Sequence, residues 1–187
     1  DFFADFFREY TPSRITLVTG GRLVPYKGHL ECIKIAARLG MKLQILGSGP
    51  EEESLRKAAT DLGADVDFII GPTRHELARL LSQGSVFLHL AHEDFGILPL
   101  EAMATGTPVV GIAKGGLLES VNSMNGILVD SFEDVPQAIK QAVKLDRRIV
   151  SESVQRFKTL NFQRRIADEI VKKWPDMFES MSIFNQD

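Results

Sequence analysis

"VFLHLAHEDFGILPLEAMATGTPVVG", residues 86–111, decides the fold. A short apolar run, VFLHL, is followed by a polar loop, AHEDFG, then by a helical stretch that begins near Gly96, then by a second apolar run, TPVVG. Strand, loop, helix, strand is the unit of an α/β protein. Pro99 suits the first turn of that helix, where a missing N–H has no helical partner to lose. The same alternation runs through the chain: ITLVT (15–19), KLQIL (42–46), VDFII (66–70) and GILVD (126–130) are further short runs separated by segments of helical length and period. They are apolar throughout rather than alternating, as strands covered on both faces of a parallel sheet should be. The sequence therefore predicts an α/β fold, a Rossmann-like doubly wound parallel sheet of about six strands.

Helix signals fall where this layout needs them. Thr73 stands three residues before Glu76, the spacing of a capping box, and predicts a helix from about Arg74. The ends read differently. Phe2, Phe3, Phe6 and Phe7 form an apolar stripe before Pro12, and FQRRIADEIVKKWPDMF (162–178) places Ile166, Ile170 and Trp174 at helical spacing. Both ends are expected to be packing helices. The division expected is 1–14 as linker and N-terminal helix, 15–160 as the binding domain, and 161–187 as C-terminal helix and tail.

The totals set limits. The 187 residues, 44% hydrophobic, suffice for one full core. Twenty-two basic against 25 acidic residues leave a net charge of −3, without the footprint of a nucleic-acid binder. Any anion is then bound by local geometry. The single cysteine, Cys32, permits neither a disulfide within the chain nor a thiolate zinc cluster. No apolar run approaches the length of a membrane span, and the expected location is the cytoplasm.

In an open α/β sheet ligands gather outside the carboxyl ends of the strands, so the loops there carry the chemistry. TGGRLVPYKGH (19–29) leaves its strand through Gly20 and Gly21 and presents Arg22 and Lys27, a fork and a point charge suited to a diphosphate or equally to a solvated loop. LGSGPEEESL (46–55) is a poor dinucleotide fingerprint, since Glu52 stands where a third glycine should be, and Glu51, Glu52 and Glu53 favour a helix dipole. Asp65 and Asp67 have the spacing of a metal-holding pair, but they lead into a strand at the amino end of the sheet and read as its polar beginning. After VFLHL, the free N–H groups of Gly96, Ile97 and Leu98 form an anion cradle. Glu93 in the loop can face a polar ligand, and Glu101, within the helix, can accept hydrogen bonds from two neighbouring hydroxyls. The plainer alternative for Glu101 is a partly buried acid held by a helix or by Lys114.

Glu93 and Glu101 are separated by the seven residues DFGILPL. Together with GRLVPYKG, ILGSGPE, EAMATGTPVV, and Gly115–Gly116 with Glu119, all in the same order, they resemble the donor-binding domain of family 4 glycosyltransferases, retaining enzymes of the GT-B fold. The likeness spans about residues 15–145, and LNFQRRIADEIVKKW is similar to the closing helix. It implies one half of a GT-B fold, acting in transfer of a sugar from a nucleotide-diphospho-sugar (UDP or GDP) to an acceptor hydroxyl. Arg22 and Lys27 would grip the diphosphate, Glu93 the transferred sugar and Glu101 the ribose. The backbone of Phe95, Gly96, Ile97 and Leu98 would contact sugar and diphosphate, with Gly21 beside them, and Ile70, Gly71 and Pro72 would line the base. No metal or other cofactor is implied. His92, beside Glu93, is left outside the catalytic set. An acceptor saccharide or lipid-linked acceptor would be met through a first domain that this chain lacks, which could also carry membrane association, so the isolated domain is expected to be inactive in transfer. A sugar-nucleotide-binding or interaction domain without turnover is the alternative.

Overall fold

The apolar runs become β1 (Thr16–Gly20), β2 (Lys42–Leu46), β3 (Val66–Ile69), β4 (Val86–His89), β5 (Val109–Ile112) and β6 (Gly126–Val129). Between and after them lie α1 (His29–Leu39), α2 (Glu52–Asp61), α3 (Arg74–Gln83), α4 (Ile97–Ala104), α5 (Leu117–Ser120), α6 (Val135–Ala142), α7 (Arg147–Ser153) and α8 (Thr159–Lys173). The computed structural model describes residues 2–8 and 14–174. One unit runs from Phe2 to Val154, and the residues from Gln155 onward form a second.

All five strand pairings are parallel, in the order β3-β2-β1-β4-β5-β6. Every connection carries a helix, and this covers both faces and explains why the central strands are largely apolar, with β4 and β5 buried at every position. Leu17, Leu43, Ile45, Val86, Leu88, Val110 and Ile112 share one face with Cys32, Ile33 and Ala36 of α1, Leu55 of α2 and Ile139 of α6. Val18, Phe87 and Val109, on the alternate positions, are also fully buried. The outer strand β3 is only half-buried.

Local signals hold where they were expected. The Thr73 hydroxyl accepts from Glu76 N, and Glu76 returns a bond to Thr73 N at 2.9 Å, so α3 starts at Arg74 behind a complete capping box. The N-terminal phenylalanines form a 3-10 helix, Phe2–Phe6, within the first unit. Phe3 is buried, and the Phe2 ring stands edge-on to His75 with centroids 4.9 Å apart. Residues 9–13, with Pro12, and 175–187, with the tail beyond the last helix, lie outside the described residues. Within the second unit, α8 presents Phe162 and Ile166 as exposed apolar side chains, and Trp174, just beyond its end, is exposed as well.

Arg147 is a feature that periodicity does not announce. Its guanidinium donates to Ser82 O (2.7 Å), Gly84 O (2.8 Å) and Arg8 O (3.2 Å), satisfying carbonyls at the end of α3 and of the N-terminal segment. Burial pushes its pKa down to about 10, which leaves it charged at neutral pH.

Candidate functional site

Strand order reverses between β1 and β4, and three loops meet beyond their carboxyl ends. The loop after β1 passes Gly28 at φ 73°, where an added methyl would lie 2.7 Å from Leu90 O, so this approach to the β4 loop is open to glycine alone. Leu98 packs on the end of β1, where a methyl at Gly20 would meet its Cδ2 at 3.0 Å. From the loop after β5, Gly116 N donates to Glu93 O at 2.9 Å. Close backbone approaches set the frame on which the three loops meet.

On this frame Lys27 Nζ forms an ion pair with Glu93 Oε1, although the two residues are far apart in sequence. Their side chains are 13% and 24% exposed, so the pair is shielded on most sides. The Lys27 amine also lies over the backbone of Gly21, where a methyl would be 3.9 Å from Nζ. Burial lowers the lysine's pKa. Arg22 is exposed, in the same loop.

Two buried histidines lie below this pair. His89 ends β4, and its Nε2 comes within 3.2 Å of Glu93 Oε2, but out of line with the ring N–H, so that Nε2 has no hydrogen-bond partner among the described residues. His29 opens α1, with Nε2 3.3 Å from Arg22 O and Nδ1 unpartnered. Burial, then the charges of Lys27 and His29, push the His89 pKa down to about 4. His29 is lowered too, by burial, against the bond to the Arg22 carbonyl and with help from Lys27. Both rings are neutral at pH 7. Sequence reading passed over these histidines. The available signal was a histidine closing the apolar run VFLHL four residues before Glu93.

The helix α4 opens at Gly96, whose φ 79° and ψ 69° turn the chain sharply into the first turn. The N–H groups of Gly96, Ile97 and Leu98 lie in that first turn, where no intrahelical acceptor exists and the helix dipole is positive. Phe95 and Ile97 are 48% and 65% exposed. Glu101 is half-buried one turn further on. Burial raises its pKa, and the charge of Arg74 acts in the opposite direction. The cation that bears on Glu101 is thus Arg74 and not Lys114, which lines a separate cleft with His92, Asp130 and Glu133.

Ile70, Gly71 and Pro72 follow β3, with Ile70 exposed and Gly71 at φ 58°, and lead into Thr73 and Arg74. Arg74 therefore links this loop electrostatically to α4. Asp65 and Asp67 lie at the opposite end of the sheet, paired with Arg14 at 3.2 Å and Lys42 at 2.8 Å. Glu51, Glu52 and Glu53 stand at the start of α2, where Glu52 pairs with Arg56. The expected residues thus lie in the loops that follow β1, β3 and β4: Gly21, Arg22 and Lys27 in the first, with Lys27 on Glu93, then Gly96 to Glu101, and 70–72 after β3.

Comparison with known proteins identifies the family and the fold. Residues 4–159 match the family model described as "Glycosyl transferases group 1". Over 137 residues the chain is 33% identical to the GDP-mannose-dependent monoacylated alpha-(1-6)-phosphatidylinositol monomannoside mannosyltransferase of Corynebacterium glutamicum, covering 66% of this chain and 36% of that protein. Over 140 residues it is 36% identical to the GDP-mannose-dependent alpha-(1-6)-phosphatidylinositol dimannoside mannosyltransferase of Mycobacterium tuberculosis H37Ra, covering 72% of this chain and 36% of the relative. The chain thus spans little more than a third of the length of these relatives. The crystal structure of Anabaena Alr3699/HepE in complex with UDP and glucose superposes with a TM-score of 0.73 at 23% identity, over 85% of this chain and 48% of that one, which shows the fold. Among the described residues no helix is long and apolar enough to cross a membrane.

Proposed function

The chain belongs to the glycosyl transferases group 1 family, and from that premise we propose that it is the donor-binding half of a retaining family 4 glycosyltransferase. It takes a nucleotide-diphospho-sugar, with UDP or GDP as the nucleotide, and contributes to transfer of a hexose to an acceptor hydroxyl. The observation that carries the reading is the meeting of Lys27 and Glu93 beside the open first turn of α4, at the point where strand order reverses. Both base types are kept because the relatives named above depend on GDP-mannose and the HepE structure holds UDP.

The diphosphate sits across the N–H groups of Gly96, Ile97 and Leu98, with Lys27 and Arg22 on its charge. As the bond from the sugar carbon to the diphosphate oxygen breaks, negative charge grows on that oxygen, where these donors are already in place. Glu93 accepts from hydroxyls of the transferred sugar, Glu101 from the ribose, and Ile70, Gly71 and Pro72 line the base. The acceptor, a saccharide or a lipid-linked sugar, is held by another part of a longer parent chain, and transfer requires that part.

Protein and helix dipole supply the positive charge, so donor binding is independent of divalent metal. Thermal-shift and calorimetric titrations with UDP and GDP, each with and without EDTA, test this. One of the two is expected to raise the melting temperature, because a ligand that binds only the folded chain stabilises it. A loss beyond tenfold in EDTA, about 1.4 kcal/mol, would require a metal in the site. No shift with either nucleotide would favour an interaction domain that keeps the fold without turnover.

A further inference from the structure

Two side chains converge on the carboxylate of Glu93: Lys27 on Oε1, and His89 Nε2 at 3.2 Å from Oε2. Lys27 is also the group placed on the donor diphosphate. One ammonium cannot serve both anions at full strength, and two phosphates outweigh one carboxylate, so donor binding draws Lys27 away from Glu93. The carboxylate, three-quarters shielded from water, then loses its cation. A shielded carboxylate with a missing partner is costly unless another donor takes over.

His89 is the donor in reach. Its ring is buried, its Nε2 is unpartnered, and only alignment separates it from a hydrogen bond to Oε2. Both residues rest on fixed backbone: His89 pairs with Gly111 inside the sheet, and Glu93 O is held by Gly116 N. We infer that His89 is the positioning residue that holds Glu93 once Lys27 is engaged by the diphosphate. Its Nε2–H donates to Oε2 and leaves Oε1 for a hydroxyl of the transferred sugar. The inference rests on the roles proposed above for Lys27 and Glu93, and adds a function for a ring that those roles do not use. The ionisable groups facing His89 are Lys27 from the β1 loop, His29 from α1 and Glu93 from the β4 loop. Burial first, then Lys27 and His29, disfavours the charged ring, and donation to Oε2 by a neutral ring requires its single proton on Nε2.

Nitrogen-15 spectra of the histidine rings, recorded on the wild-type chain with saturating UDP or GDP at pH 7, read that proton directly. The Nε2–H tautomer at His89 is expected, and the Nδ1–H tautomer overturns the inference. Calorimetry with UDP and UDP-glucose, and with GDP and GDP-mannose, gives the ratio of nucleotide-sugar affinity to diphosphate affinity. His89→Phe keeps the ring shape without the donor, and the ratio should fall about tenfold. His89→Gln can place an N–H near the same point and should keep the ratio within roughly threefold of wild type. An unchanged ratio in His89→Phe, or equal losses in both variants, overturns the inference while leaving the donor site intact. If the wild-type chain binds none of the four ligands, the proposed function fails and the inference falls with it. The tautomer measurement stands even if His89→Phe does not fold.

Discussion

Lys27 pairs with Glu93 and is proposed to meet the donor diphosphate, and this makes its removal informative. Lys27→Ala should weaken nucleoside diphosphate by about 2 kcal/mol and leave the nucleoside nearly untouched, because the ammonium acts on phosphate charge in a shielded site. Arg22, exposed in the same loop, should cost about 1 kcal/mol on the same scale, since solvent screens it. Isothermal titration with both ligands checks the pair, and equal losses for nucleoside and diphosphate would mean collapse of the loop. The two glutamates should separate. Glu101→Gln removes the charge proposed to face the ribose and should weaken diphosphate and nucleotide sugar alike. Glu93→Gln takes away the carboxylate that competes for Lys27, so the bare diphosphate should bind no worse while the nucleotide sugar binds more weakly. If Glu93→Gln weakens the diphosphate as much as Glu101→Gln does, the carboxylates share one structural role.

At the scale of elements, the loops matter more than the strands. Gly28 and Gly40 both sit at positive φ, 73° and 60°, yet a methyl at Gly28 meets Leu90 O and Leu90 Cβ, whereas nothing lies within 4 Å of one at Gly40. Gly40→Ala should therefore cost only the left-handed strain, about 1 kcal/mol. Gly28→Ala should cost visibly more in urea denaturation and should also abolish diphosphate binding, because the β1 loop has to move off the β4 loop. Equal costs with binding retained would show that the close approach is not needed. The strands were readable from the sequence because burial on both faces leaves a continuous apolar run, and α3 was readable because Thr73 and Glu76 write its start in local chemistry. Lys27 and Glu93 were each readable as loop residues with charge. Their contact was not, since it depends on which strands become neighbours. His89 was hidden for a related reason: one histidine at the end of VFLHL barely alters an apolar pattern, and its role comes from Glu93 above and Lys27 across the seam. Arg147 likewise gains its partners only after α3 and the N-terminal segment are in place.

For the whole molecule, the buried histidines set a pH response. His89 moves from 6.5 in the unfolded chain to about 4 in the folded one, chiefly through burial. Between those values the unfolded chain binds a proton that the folded chain refuses, so stability falls as pH falls through that window. His29 adds to the effect with the same sign. Glu101, raised by burial, acts with the opposite sign: its contribution is present at low pH and is lost as pH rises through its folded value. For His89 the expected loss at pH 5 relative to pH 7 is about 2 kcal/mol. Urea denaturation at both pH values should show a smaller loss in His89→Gln than in wild type, and equal losses would show that His89 is not held neutral. The sheet order has a temporal side as well. Strands β1, β2 and β3 are neighbours in sequence, as are β4, β5 and β6, whereas the pairing of Leu17 with Val86 joins the halves across a long stretch of chain. Closing that loop is the entropically expensive step of folding, and the proposed diphosphate cradle straddles it. A nascent chain therefore has no pocket until the first turn of α4 has left the ribosome, and in refolding a fluorescent nucleotide would report the zipping of the two halves rather than the formation of either.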